Sequence, residues 1–106
     1  MPILVSTTND IPGKQIVRYI GVVRGITVRS RNVLGNIAGG FQSIFGGKLT
    51  AFTSLAETAR QEAFDHLCQH AEEAGANAVI GMRYDANDIM DGITEVLAYG
   101  TAVVVG

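Results

Sequence analysis

The sequence contains little of what most recognisable functional classes require. Its 106 residues include one cysteine, no tryptophan and few aromatic side chains. A single cysteine excludes an internal disulfide framework and is typical of proteins in a reducing compartment. We therefore expect a core built from small apolar side chains, with no covalent cross-link to support it.

Long apolar runs and an excess of positive charge are also missing. No window approaches eighteen consecutive apolar residues, and the N-terminal Met-Pro-Ile-Leu-Val has no charged segment before a long apolar stretch. These features predict neither membrane insertion nor export, which leaves the cytoplasm as the expected location. A formal net charge of −2 argues against nucleic-acid binding, because that function requires a broad basic face.

What the chain does contain is small and apolar. Hydrophobic residues make up 47% of it, and thirteen positions are glycine. The length is typical of one domain, so we predict a single domain over residues 1–106. A chain of this size buries only roughly two thirds of the surface that its unfolded form exposes. Its core must therefore be well packed or completed by neighbouring subunits.

Residues 15 to 28 predict the first long strand. They are rich in β-branched side chains and carry apolar residues at both parities, which is typical of a strand covered on both faces. Gly21 and Gly25 interrupt the run and indicate a bulge or a close backbone neighbour. After this strand, segment 32 to 45 has apolar residues at helical spacing but several glycines, so we expect a short, irregular helix there.

A long amphipathic helix is predicted from about Thr50 to Ala74. Its apolar stripe steps by three or four residues and consists of Phe52, Ala56, Ala59, Ala63, Leu67, Ala71 and Ala74, widened by Phe64. Arg60 lies within this stripe, where its long stem predicts either a side chain lying along the apolar surface or a contact to a partner. Gly75 follows the last turn, as expected for a left-handed C-cap.

The C-terminal third predicts a hairpin. One strand runs from Ala78 to about Ala86, and the last run extends from Ile93 to Val105, with turn residues between them. Together with the first strand these make a three-stranded sheet in an α+β fold. Apolar side chains occupy both faces of the last strand, whereas one helix covers only one face. The second cover is either segment 32 to 45 or another copy, and we favour a homo-oligomer.

The candidate metal ligands lie on the long helix. His66 and His70 are one turn apart, so both imidazoles lie on one side of the helix, and Glu62 extends the row by another turn. Cys68 is two residues from each histidine and is rotated about 200° around the helix, so it cannot join them. The set predicts a divalent-metal site that water or a neighbouring subunit completes. Two surface histidines without a ligand role are the alternative.

A weaker anion site is predicted just before the helix. Gly46-Gly47-Lys48 could present backbone N–H groups to an anion, with Lys48 nearby and Arg60 as a second candidate contact. The three aspartates near the hairpin lack the spacing of a calcium loop and are interpreted as turn residues. No nucleophile and base stand in a recognisable arrangement, so we do not expect catalysis.

Five blocks of sequence in a fixed order identify a family resemblance. They are Tyr-Ile-Gly-Val-Val-Arg-Gly at 19 to 25, Gly-Gly-Lys at 46 to 48, Ala59-Arg60 with Ala63-Phe64, Gly-Ala-Asn-Ala-Val-Ile-Gly at 75 to 81, and Tyr-Gly-Thr-Ala-Val at 99 to 103. This order resembles the YbjQ family of small bacterial and archaeal proteins, and it covers nearly the whole chain.

The resemblance implies a two-layer β-α-β-β subunit akin to that of dodecin. In such a subunit an antiparallel sheet wraps a long helix, and short strands support a ring of subunits, expected to be a pentamer. The family label of heavy-metal binding favours a small homo-oligomer with a metal ion or small ligand at subunit interfaces. The alternative is an interaction ring without a ligand. Ile20, Ile26 and Phe52-Thr53 depart from family positions that carry cysteine or acidic residues in some members, which removes potential ligands.

Overall fold

The computed structural model describes residues 2–30 and 47–106. Their order along the chain is strand β1 (Leu4–Val5), strand β2 (Ile16–Ser30), helix α1 (Gly47–Glu73), strand β3 (Ala78–Met90) and strand β4 (Ile93–Val105). This arrangement confirms an α+β fold with one long helix. The irregular helix predicted for segment 32 to 45 falls outside the described residues.

The sheet has four strands and is mixed. Its order is β1-β3-β4-β2, so β2 lies at one edge and the short β1 lies beside β3 at the other. The three long strands pair antiparallel, as the resemblance implies, with Ile26 opposite Leu97 and Ala86 opposite Val96. The fourth strand, β1, pairs parallel with β3 through Leu4 and Val5. The sequence did not predict this strand, because two residues are too few to show the alternation of apolar and polar side chains that marks a strand.

Helix α1 ends where the sequence indicates. Gly75 adopts a φ of 92°, the left-handed conformation that glycine enters without steric penalty. Its N–H donates to the Glu72 carbonyl at 3.0 Å, and the Ala76 N–H donates to the Ala71 carbonyl at 3.0 Å. This pair of bonds is the Schellman motif, which satisfies carbonyls that the last turn leaves open. The helix begins at Gly47, three residues before the predicted start.

The core between helix and sheet is built from small side chains. Ala63, Leu67 and Ala71 are fully buried on α1 and face Val79, Ala98 and Ala102 on the sheet. The predicted stripe is thus confirmed in its middle, whereas Ala56 and Ala74 are exposed. Because alanines dominate the helix face, α1 can lie close to the strands, and it packs mainly against β2 and β4.

The face of the sheet that lies away from α1 is covered at one end only. There Ile11 packs over Ala78, Ile80, Val103 and Val105, with Ile16 at the margin. At this end the cover is the N-terminal segment of the same chain, a source that the sequence did not predict; a cover from segment 32 to 45 falls outside the described residues, and a cover from a second copy stays a prediction. Toward the hairpin this face carries exposed apolar side chains on β2, namely Val22, Ile26 and Val28.

Gly25 is the point of closest approach between α1 and β2. A Cβ atom at this position would overlap the main chain of the helix at the Ala63 carbonyl oxygen and the Leu67 amide nitrogen. The sequence allowed either a bulge or a close backbone neighbour here. The structure shows the close neighbour at Gly25, while the ladder shifts register at Gly21.

Replacing Gly25 by alanine should destabilise the fold, because the obstacle is helix backbone that cannot rotate away. We expect Gly25→Ala to lower the free energy of unfolding by about 3 kcal/mol, the upper part of the usual range for overpacking. Gly106→Ala is the control, since a Cβ there meets nothing within 4 Å. Urea denaturation of both variants measures the difference, and equal midpoints would contradict the close contact.

Candidate functional site

The candidate site is a groove between α1 and the edge strand β2. It has a volume of about 670 Å³ and is lined by Val22, Val23, Arg24, Ile26, His66, Gln69 and His70. The two histidines of the predicted metal set thus line one groove. They come from successive turns of α1, while the opposite wall is the edge of β2.

Both imidazoles make a hydrogen bond to main-chain carbonyl groups of β2. The Nδ1 atom of His66 lies 3.0 Å from the Ile26 oxygen, and the Nδ1 atom of His70 lies 2.6 Å from the Arg24 oxygen. The two carbonyls flank Gly25, where the helix backbone touches the strand. The close contact at Gly25 is therefore what brings each ring within reach of its carbonyl.

Glu62, the third member of the predicted metal set, has other partners. Its carboxylate lies 2.5 Å from the Arg29 guanidinium and accepts a hydrogen bond of 2.9 Å from the Thr27 hydroxyl. Within residues 2–30 and 47–106, no group of three or more histidine, cysteine, aspartate or glutamate side chains is placed to hold a metal ion. One chain therefore offers two imidazoles from the predicted set, and Glu62 serves the contact between helix and strand.

The Arg29 and Thr27 contacts also set the charge state of Glu62. Hydrogen bonds from Arg29 first, and from Thr27 second, lower the pKa of the Glu62 carboxyl below its ordinary value. Both donors come from β2, and Thr27 is buried. The contact joins the last residues of the strand to the middle of the helix, and sequence reasoning missed it because the partners are 33 and 35 positions apart.

The other candidate residues lie away from the groove. The Arg60 guanidinium carbon lies 5.4 Å from the centre of the Tyr84 ring, so this side chain lies over an aromatic ring of β3. This fits the interpretation in which the long stem of Arg60 lies along the apolar surface. Lys48 belongs to the first turn of α1, and its side chain is outside the description. The structure does not bring Arg60 to the histidines, and the anion site stays a prediction.

Cys68 is half-buried and does not line the groove. Burial, with a smaller effect of Asp65, raises the pKa of its thiol. A raised pKa disfavours the thiolate, which is the form that attacks electrophiles and binds metals. Cys68 therefore stays outside the candidate metal set, as its position on the helix predicts.

Comparison with known proteins gives a consistent family assignment. Residues 3–106 match the model of the YbjQ family, whose description reads "Putative heavy-metal-binding". A UPF0145 protein of Chromobacterium violaceum is 58% identical over 100 residues, which are 94% of this chain and 86% of that protein. A UPF0145 protein of Solibacter usitatus is 54% identical over 99 residues, with 93% and 88% covered.

A solved structure has a similar fold. The crystal structure of a protein of unknown function from Pediococcus pentosaceus, assigned to the DUF74 family, matches with a TM-score of 0.58 over 98% of each chain. Its sequence identity is 17%, so the likeness extends to the fold alone. No helix in the described part of this chain is long and apolar enough to cross a membrane.

The Glu62 contact predicts a specific pH dependence of stability. Because the folded-state pKa of this carboxyl is lowered, its contribution is complete above the unfolded-state pKa and is lost as the pH falls through the folded-state pKa. We expect Glu62→Gln to flatten the fall in unfolding free energy on acidification below about pH 4.3, the ordinary pKa of glutamate. Urea titrations across this range measure the slope.

Glu72→Gln is the matched control, because Glu72 is an exposed carboxylate on the same helix. It should retain the slope of the natural protein. A Glu62→Gln variant with the same slope as Glu72→Gln would contradict the assigned contact between Glu62 and Arg29.

Proposed function

The chain belongs to the YbjQ family, and we propose that it is a small homo-oligomeric protein that holds a divalent heavy-metal ion in the groove beside β2. The observation that carries this proposal is the pair of imidazoles, His66 and His70, which line one groove with their Nδ1 atoms bonded to strand carbonyls. On this proposal the protein is a cytoplasmic binding protein and not an enzyme.

The chemistry of the groove supports a metal more than an organic ligand. Histidine is the commonest metal ligand, and a ligating histidine usually donates its other ring N–H to a carbonyl or carboxylate. Both rings here already have that outer partner. Two protein ligands leave a tetrahedral ion two positions short. Water, or side chains of a second copy, would supply the remaining positions.

Exposed apolar surface next to the groove supports assembly. Val22 is 78% exposed, and Ile26 and Val28 are also open on the same face of the edge strand. Val22 and Ile26 also line the groove. An edge strand with an apolar face is a favourable surface for another copy of the chain. We therefore propose that subunits meet along β2, and a ring of five remains the prediction from the family resemblance.

Metal binding should depend on both histidines. We expect untagged wild-type protein to bind zinc, nickel or copper(II) in calorimetric titrations, and His66→Ala or His70→Ala to weaken that binding by at least about tenfold, since loss of an outer-shell partner alone often costs that much. Gln69→Ala is the control, because it changes the groove wall between the two histidines and leaves both rings. Equal affinities in all four proteins would refute the assignment of this pair.

Assembly should depend on the apolar face of β2. We expect light scattering to report a multiple of the 11.2 kDa chain mass. The double variant Val22→Glu with Val28→Glu should lower that mass, because charge would then be buried at the contact. Glu72→Lys, on the exposed side of α1, should leave the mass unchanged. A wild-type monomer at micromolar concentration would contradict the oligomer.

The alternative function, a ring without a ligand, makes a different prediction. Native mass spectrometry of protein purified without chelator or affinity metal should show extra mass per assembly if a metal is held. A bare assembly that also takes up no added metal would favour the interaction ring.

A further inference from the structure

The hydrogen bonds of the two histidines fix which ring nitrogen can bind a metal. A carbonyl oxygen carries no proton, so each Nδ1 within hydrogen-bond distance of one must be the donor. In a neutral imidazole the other nitrogen, Nε2, then carries the lone pair. His66 and His70 both follow this rule, because each Nδ1 meets a strand carbonyl.

We infer that β2 presets His66 and His70 as a pair of Nε2 ligands, and that the groove therefore selects borderline divalent ions, namely nickel, copper(II) and zinc, over thiophilic and hard ions. This inference rests on the proposed metal-binding function and names its ligand class. It assigns the carbonyl groups of Arg24 and Ile26 as the outer partners that hold the rings.

The carbonyl partners are well suited to this role because they belong to the main chain. Each belongs to the part of β2, Gly21 to Ser30, that pairs with β4 without a register shift, so neither can rotate away as a side chain could. The strand is held against α1 by the backbone contact at Gly25. Outer-shell partners of this kind fix the ring orientation and raise the basicity of the ligating nitrogen.

The donor set of the groove determines the metal class. Imidazole nitrogen suits zinc, copper and nickel, whereas thiolate selects softer ions and carboxylate or carbonyl oxygen suits magnesium and calcium. Cys68 does not line the groove, and it is rotated about 200° from each histidine on the helix. Glu62, the carboxylate that the sequence places in the same helical row, is held by Arg29 and Thr27.

The first test measures the ring tautomers in the absence of metal. Long-range proton–nitrogen correlation spectra of the untagged apo protein at slightly alkaline pH distinguish the two forms, and His66→Gln and His70→Gln assign the signals. We expect both rings to carry the proton on Nδ1. A proton on Nε2 of either ring would overturn the inference, whether or not a metal binds.

The second test measures selectivity among metal ions and includes a cysteine-free variant of the protein. Nickel, copper(II), zinc, cadmium and magnesium are titrated into wild type, Cys68→Ala and the double variant His66→Ala with His70→Ala. We expect nickel, copper(II) and zinc to bind at least tenfold more tightly than cadmium or magnesium, with no change in Cys68→Ala and loss in the double variant.

Two results of the second test separate the inference from the function beneath it. Tight cadmium or magnesium binding that Cys68→Ala retains and the double histidine variant loses would overturn the metal class assigned to the groove while leaving a metal-binding protein. Absence of binding for every ion would overturn the proposed function itself, and with it the ligand class.

Discussion

The contact between Gly25 and the backbone of α1 sets the distance at which the helix lies over the sheet. Any side chain at this position would meet the Ala63 carbonyl and the Leu67 amide, so the helix could not lie as close. The same two turns of helix carry His66 and His70, which reach over the strand on either side of the glycine. One missing Cβ atom thus determines both the packing and the geometry of the candidate site.

The rest of the helix face is consistent with this close approach. Ala59, Ala63 and Ala71 are buried with Leu67 against a sheet that is itself lined by Ala98 and Ala102. Small residues on both sides bury less apolar surface per residue than a core of large ones. The chain compensates with close packing, a Schellman cap and the Glu62 contact to Arg29 and Thr27. The proposed assembly along β2 would bury the apolar face that this subunit leaves exposed.

Periodicity and turn chemistry predicted much of this fold. The helix stripe, its glycine cap and the last strand follow from local patterns, because each depends on side chains that are only a few residues apart in the sequence. Strand β3 extends to Met90, beyond the predicted end at Ala86, because Asn87 and Asp88 read as turn residues but lie in the ladder opposite Glu95 and Thr94. The cover supplied by Ile11 was also missed, since an isolated isoleucine in a polar segment shows no period.

The candidate site was predictable only in part. Four-residue spacing placed His66 and His70 on one side of the helix, and it placed Glu62 in the same row. Spacing could not show that Arg29, on a strand far away in sequence, holds the glutamate, nor that backbone carbonyls hold the two rings. Those partners depend on the register of β2 against the helix, which is a tertiary property. Gly25, within a run of β-branched residues, was the one local signal that the two elements meet closely.

A crystal of nickel-loaded protein tests the central claim most directly, through the anomalous scattering of the bound ion. The account predicts one peak per groove, at coordination distance from the Nε2 atoms of His66 and His70, with each Nδ1 still bonded to its strand carbonyl. A peak at Cys68 or among the hairpin aspartates, with both histidine rings free of metal, would contradict it.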